Sequence, residues 1–225
     1  MIVRKPFDRV LRFMSDIYKL YDEVAQMGNL SPEYYEKMIH RVPDAPVFDR
    51  RDYLVKAARN KVVLDVGASG PMSFTLQDEA KTYYGIGIDP NPGLTNYYRI
   101  DLDNYDKHTF PIIEGLDLVI AGEILEHLSN PGRLLNRLRS LDTQVIVTVP
   151  NAFSISGIKN MQKGIESVNK EHVAWYSYHT LKVLVERHRF NILLWAWYNG
   201  KPLTAEGLIF HLEPRNGNNQ EKPIS

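Results

Sequence analysis

A few acidic and histidine positions in this sequence are spaced so that they could do chemistry. In Val63 to Pro71, V-L-D-V-G-A-S-G-P, a β-branched run ends at Asp65 and passes into Gly67, Ala68, Ser69 and Gly70. Small residues let a backbone approach a ligand closely. A helix starting there adds unpaired N–H groups and the positive end of its dipole. Such a turn suits a ligand carboxylate, and Asp65 suits a ligand ammonium, directly or through water. The run ending G-I-D-P places Asp89, followed by Pro90, at a second strand end. A carboxylate there can accept hydrogen bonds from both hydroxyls of a ribose. Asp101, Leu102 and Asp103 close a third run, where an adenine would be bordered. The pattern points to an aminoacyl nucleoside.

Glu126 and His127 follow a fourth run. They are candidates to touch a substrate, His127 also as a catalytic group, or they only open the loop before Asn130. No further carboxylate or histidine stands beside them at ligand spacing, so no metal is expected. His172 lies in a long connection, residues 151–176, with Gly157 and Gly164 as hinges. Long connections of this kind serve as lids or substrate walls. With an ordinary pKa of about 6.5, a histidine there can take a proton from a hydroxyl or amine. The alternative is that His172 only packs beside Trp175. Trp175 and Tyr176 line a substrate pocket or belong to the core. Arg133, Arg137 and Arg139 read as a solvated basic helix face.

The elements that must position these groups follow from periodicity. Short apolar runs at 61–66, 82–89, 98–102, 117–123, 144–150, 190–198 and 208–212 predict seven strands. Helices are predicted between them, with Asn130-Pro131 and Ser177 as N-terminal signals. Strands alternating with helices imply a Rossmann-like, mostly parallel sheet with helices on both faces. The short link between the last two runs predicts one antiparallel edge pair. Apolar residues at helical spacing over 7–25, and Ser31-Pro32 before a second set, predict an N-terminal helical cap over residues 1–50. The main domain is expected at 51–213 and a polar flexible tail at 214–225.

V-L-D-V-G-A-S-G resembles the first motif of class I methyltransferases, and G-I-D-P their second. D-L-V-I-A-G-E-I-L-E-H-L, Asp117 to Leu128, resembles their fourth-strand motif, most closely in small-molecule enzymes related to ubiquinone biosynthesis. V-I-V-T-V-P-N, Val145 to Asn151, and E-H-V-A-W-Y-S, Glu171 to Ser177, are similar to the same group. The resemblance implies S-adenosylmethionine as cofactor. It implies that Asp65, Gly67 and Ser69 line the methionine part, that Asp89 holds the ribose, and that Asp101 and Leu102 contact the adenine. Glu123 is implied near the transferred methyl. Ser69 and Pro71 replace glycines usual in the family. Position 122 onward reads G-E-I rather than the Asn/Asp-Pro-Pro-aromatic signature of nucleic-acid amino methyltransferases, so a small-molecule acceptor with oxygen or nitrogen is implied.

Charge balances at 27 basic and 27 acidic residues, which gives no electrostatic case for a nucleic-acid partner. The sequence has no cysteine, so disulfides and thiolate metal sites are excluded. No apolar run reaches the roughly 18 residues of a membrane span, and a cytoplasmic enzyme is expected. Two competitors remain. A non-catalytic binding module of the same fold would bind cofactor without turnover. An NAD(P)-dependent oxidoreductase would want the full G-x-G-x-x-G, which Met72 interrupts.

Overall fold

β-Branched runs become strands here because their side chains pack on both sides of a covered sheet. In a computed structural model, residues 39–90, 92–106 and 110–215 are described, together with Lys19. The strands are β1 (Val47–Phe48), β2 (Val62–Val66), β3 (Thr82–Gly87), β4 (Tyr97–Arg99), β5 (Leu118–Gly122), β6 (Gln144–Pro150), β7 (Phe190–Tyr198) and β8 (Gly207–Pro214). Among the described residues the helices are α1 (Arg50–Ala58), α2 (Gly70–Glu79), α3 (Pro131–Arg139), α4 (Ile155–Met161) and α5 (Tyr178–Arg187), with a 3₁₀ turn at Leu125–His127.

The eight strands form one sheet in the order β1-β7-β8-β6-β5-β2-β3-β4. β8 runs antiparallel to both β6 and β7, and the other pairings are parallel. The Rossmann-like, mostly parallel sheet with its antiparallel β7–β8 pair is as the sequence predicts. The eighth strand is β1, two residues too short to give a period-2 signal. It lies in the stretch read as helical cap. β8 reaches Pro214, two residues past the predicted end.

Alternation along the strands feeds two cores. Val63, Leu118, Ile120 and Ile146 face α1 and α2, packing with Leu54, Ala58 and Leu76. Leu64, Val66, Val119, Ala121 and Val145 face α3 and α5, packing with Leu134, Leu138, Leu181 and Val185. Leu134, Leu135 and Leu138 are fully buried, each stabilising the fold by roughly 1.5–3 kcal/mol. The predicted caps are present: Asn130 Oδ1 accepts from the Arg133 N–H at 3.1 Å, and Ser177 and Thr180 form a capping box.

The chain divides into two compact units, residues 1–41 and 42–225. The helices predicted over 7–25 and from Ser31 lie outside the described residues. No helix of the described residues is long and apolar enough to cross a membrane.

Candidate functional site

The carboxyl ends of β2, β3 and β5 open into a cleft of about 310 Å³. Parallel strands must bring their ends to one edge, so the residues just after each strand converge. Gly67 takes φ +87°, and its N–H and that of Ala68 both bond the Ile86 carbonyl, at 2.8 and 2.7 Å. A Cβ on Gly87 would stand 2.7 Å from the Ala68 carbonyl oxygen and 2.7 Å from the Tyr97 hydroxyl. The close approach of these two strand ends therefore requires glycine. Ser69 precedes α2, and its N–H donates to Ser73 Oγ at 2.9 Å.

Gly67, Ala68, Ser69, Asp89, Asp101, Leu102, Glu123 and His127 all line this cleft. Asp101 accepts from the Asn104 amide at 3.0 Å and the Asp103 N–H at 2.9 Å, which holds its carboxyl below the usual range. Pro90 is exposed and does not line the cleft. Asp65 does not line it either. It is 5% exposed and accepts from the Tyr83 hydroxyl at 2.9 Å. Burial raises its pKa, opposed by Ser73, Tyr83 and the charge of Arg50.

β5 ends with a sharp turn. Glu123 adopts φ +53°, uncommon for a residue with a side chain. Its Oε1 accepts from the Thr148 and Tyr198 hydroxyls, each at 2.9 Å. The turn sets Ile124 over Gly67, where a Cβ on the glycine would meet the Ile124 side chain at 3.0 Å. The 3₁₀ turn then carries Glu126 inward and His127 to the cleft.

Glu126 is 1% exposed, and both carboxylate oxygens lack a hydrogen-bond partner. Burial, helped by the charge of Glu123, pushes its carboxyl up to about 8. Its main-chain carbonyl accepts from Val173 N–H at 2.8 Å and Ala174 N–H at 3.2 Å. Those bonds draw His172 in, with its ring edge-on to His127 at 4.6 Å between centroids. Burial and the neighbouring His127 lower the pKa of His172. One ligand atom each from Glu126, His127 and His172 lies within 4.8 Å of the others. The sequence reading that nothing at ligand spacing accompanies Glu126 and His127 is thus corrected: the third group arrives from the distant connection.

Tyr176 is buried and its hydroxyl donates to the Leu125 carbonyl at 3.3 Å, holding the 3₁₀ turn. Trp175 is half exposed and lines a neighbouring cavity with Glu126 and His172. The basic face of α3 is not merely solvated. Arg133 donates to the Asp103 and Tyr105 carbonyls and lies over the Tyr105 ring, fixing the loop that borders the cleft.

Arg50 carried no signal in the sequence. It opens α1, stands over the Tyr198 ring at 5.6 Å, and its charge acts on both Asp65 and Glu126. A Cβ on Gly122 would meet its guanidinium at 3.3 Å, so glycine makes room for it.

A family model described as a methyltransferase domain matches residues 38–194. The chain belongs to that family. It is a class I S-adenosylmethionine-dependent methyltransferase, and S-adenosylmethionine is its cofactor. The methyltransferase domain has structural likenesses among solved proteins. The small RNA methyltransferase HEN1 superposes with TM-score 0.59 at 15% identity, over 81% of this chain and 28% of that one. This chain therefore spans little more than a quarter of that protein. A SAM-dependent methyltransferase from Archaeoglobus fulgidus gives 0.52 at 16% identity, over 86% and 99%. Magnesium protoporphyrin IX methyltransferase from Synechocystis PCC 6803, solved with bound SAH, gives 0.52 at 15%, over 73% and 81%. At these identities the likeness is one of fold. No curated protein sequence matches the chain.

The residues present fit the methyltransferase cofactor. The cleft volume lies at the small end of the roughly 300–1,000 Å³ typical of ligand sites. Acidic Asp89 and Asp101 line it together with the Gly67–Ser69 backbone.

Proposed function

We propose that this chain transfers the methyl group to an oxygen of a small-molecule acceptor held at a divalent cation on Glu126, His127 and His172. The observation that carries this is the buried Glu126 carboxylate, unpartnered on both oxygens, facing two histidines beside the cofactor cleft. A buried, unpaired carboxylate is costly unless a positive partner is present. Two imidazoles and a carboxylate suit a cation that keeps open positions for substrate. At bond lengths of about 2.1 Å, ligand atoms stand up to about 4 Å apart, so the set needs only a small contraction.

The cofactor supplies an electrophilic methyl on a sulfonium, so the chain's task is alignment and exclusion of water. Asp89 accepts the ribose hydroxyls. Asp101 and Leu102 border the adenine, and Gly67 to Ser69 cradle the methionine part. Glu123, anchored through Oε1 by Thr148 and Tyr198, keeps Oε2 for the ligand ammonium. Asp65 supports this arrangement from beneath, through Tyr83. A cation held by Glu126, His127 and His172 would lower the pKa of an acceptor hydroxyl, so that its proton could be lost to water. The balanced overall charge favours a small acceptor over a nucleic acid.

The test is a screen of hydroxylated small molecules with methyl-labelled cofactor, run with manganese or with a chelator. Label transfer that needs the metal and disappears in His172→Ala supports the reading. Transfer that is indifferent to chelation and to His172→Ala removes the cation from it.

A further inference from the structure

The connection between β6 and α5 leaves a good deal of apolar surface uncovered. α4 has no buried residue. Phe153, Met161 and Trp175 are 59%, 56% and 42% exposed. Together with Ala152 and Ile158 they wall a groove of about 620 Å³, larger than the cofactor cleft. Gln162 and Glu166 are the polar side chains on its wall, and no lysine or arginine lines it. It therefore offers nothing to a phosphate.

The groove is a built feature. Asn151 Nδ2 donates to the Leu203 and Ala205 carbonyls, each at 3.0 Å, and Ile155 N–H donates to the Thr204 carbonyl at 3.0 Å. The far end is pinned by the Val173 N–H on the Glu126 carbonyl. It is also continuous with the transfer site. Gly157 and Trp175, which line the groove, line a cavity of about 130 Å³ as well, and that cavity contains Glu126 and His172. His172 in turn stands against His127, which lines the cofactor cleft. Cleft, polar gap and apolar groove follow one another.

We infer that the groove holds a hydrocarbon arm of the methyl acceptor, joined to the polar head that receives the methyl. The inference rests on the transfer reading above and specifies its substrate class: an amphipathic molecule, polar at the reacting end. Continuity with the polar gap singles out this occupant, because an arm leaving Glu126 and His172 passes Trp175 directly into the groove. Methionine and isoleucine walls adapt to a chain without demanding one shape.

The full chain, saturated with S-adenosylhomocysteine, is titrated with phenol, 4-butylphenol and 4-octylphenol by calorimetry. Burying hydrocarbon tightens binding by about fourfold per methylene, so octylphenol is expected to bind at least about tenfold tighter than phenol. Met161→Asp, and separately Phe153→Ser, remove that difference and leave S-adenosylhomocysteine affinity unchanged. Both positions are exposed, so neither change touches the core. Equal affinity across the series overturns the inference, as does a chain-length effect that survives both variants. Two other occupants overturn it in their own way. A dimer in sedimentation that Met161→Asp dissociates, without chain-length dependence, marks a contact between copies. Co-sedimentation with phosphatidylglycerol vesicles that Met161→Asp abolishes, again without chain-length dependence, marks a lipid surface. Failure to bind S-adenosylhomocysteine counts against the transfer reading itself, whereas its binding without chain-length dependence removes only the groove.

Discussion

Glu126→Gln separates a cation site from an ordinary buried residue. In the protein without metal, burial and Glu123 push the Glu126 carboxyl from 4.5 up to about 8. Between those values the folded chain keeps a proton that the unfolded chain has lost. The folded state binds more protons, so stability falls as pH rises, by about 1.4 kcal/mol per pH unit, and levels off above about 8. At pH 7 the accumulated cost is on the order of 3 kcal/mol. Glutamine mimics the neutral acid and does not titrate. The metal-free variant is therefore expected to match the parent near pH 5 and to exceed it near pH 8. A domain of this size shifts its Tm by about 2–4 °C per kcal/mol, so the gain is several degrees. Manganese should raise the Tm of the parent near pH 8 by mass action on the folded state. It should leave the variant nearly unmoved. Thermal melts at the two pH values, with manganese and with chelator, read both effects. A metal-free variant less stable than the parent near pH 8, or one that gains the same manganese shift, would refute the reasoning.

Further outcomes follow from the cleft. Asp89→Ala is expected to weaken S-adenosylhomocysteine binding by about tenfold to a hundredfold, the worth of hydrogen bonds to a charged acceptor. Its melting temperature should be unchanged because Asp89 is exposed; calorimetry reads the first and a melt the second. Gly87→Ala forces a Cβ to within 2.7 Å of the Ala68 carbonyl oxygen. Overpacking of that kind costs about 1–3 kcal/mol, visible in urea denaturation, and cofactor affinity should drop with it. Arg50→Ala removes the positive charge acting on Asp65 and Glu126. Because Arg50 acts on them through its charge at a distance and not as a bonded partner, a loss of about 1 kcal/mol in denaturation is expected.

The strands and most helix starts were legible because they depend on neighbours in the chain. Val62–Val66 and Gln144–Pro150 are apolar almost throughout, and Asn130 and Ser177 carry their own capping oxygens. The glycine turn was legible too, since positive φ at Gly67 and crowding at Gly87 leave few other residues possible. β1 escaped notice because two residues hold no period.

By itself, then, the sequence determined a parallel α/β sheet and the placing of Asp89, Asp101 and Glu123 at one edge. Parallel pairing puts every strand end on the same side whatever the packing details. Tertiary structure alone decided which way each acid points and what it meets. Period 2 says that Val63 and Asp65 share a face, but not that this face is the one covered by α1 and Arg50 rather than the open cleft. Nor does local spacing bring His172 to Glu126. That meeting depends on hydrogen bonds from Val173 and Ala174 to a turn 45 residues or more away, and only the packed chain supplies them.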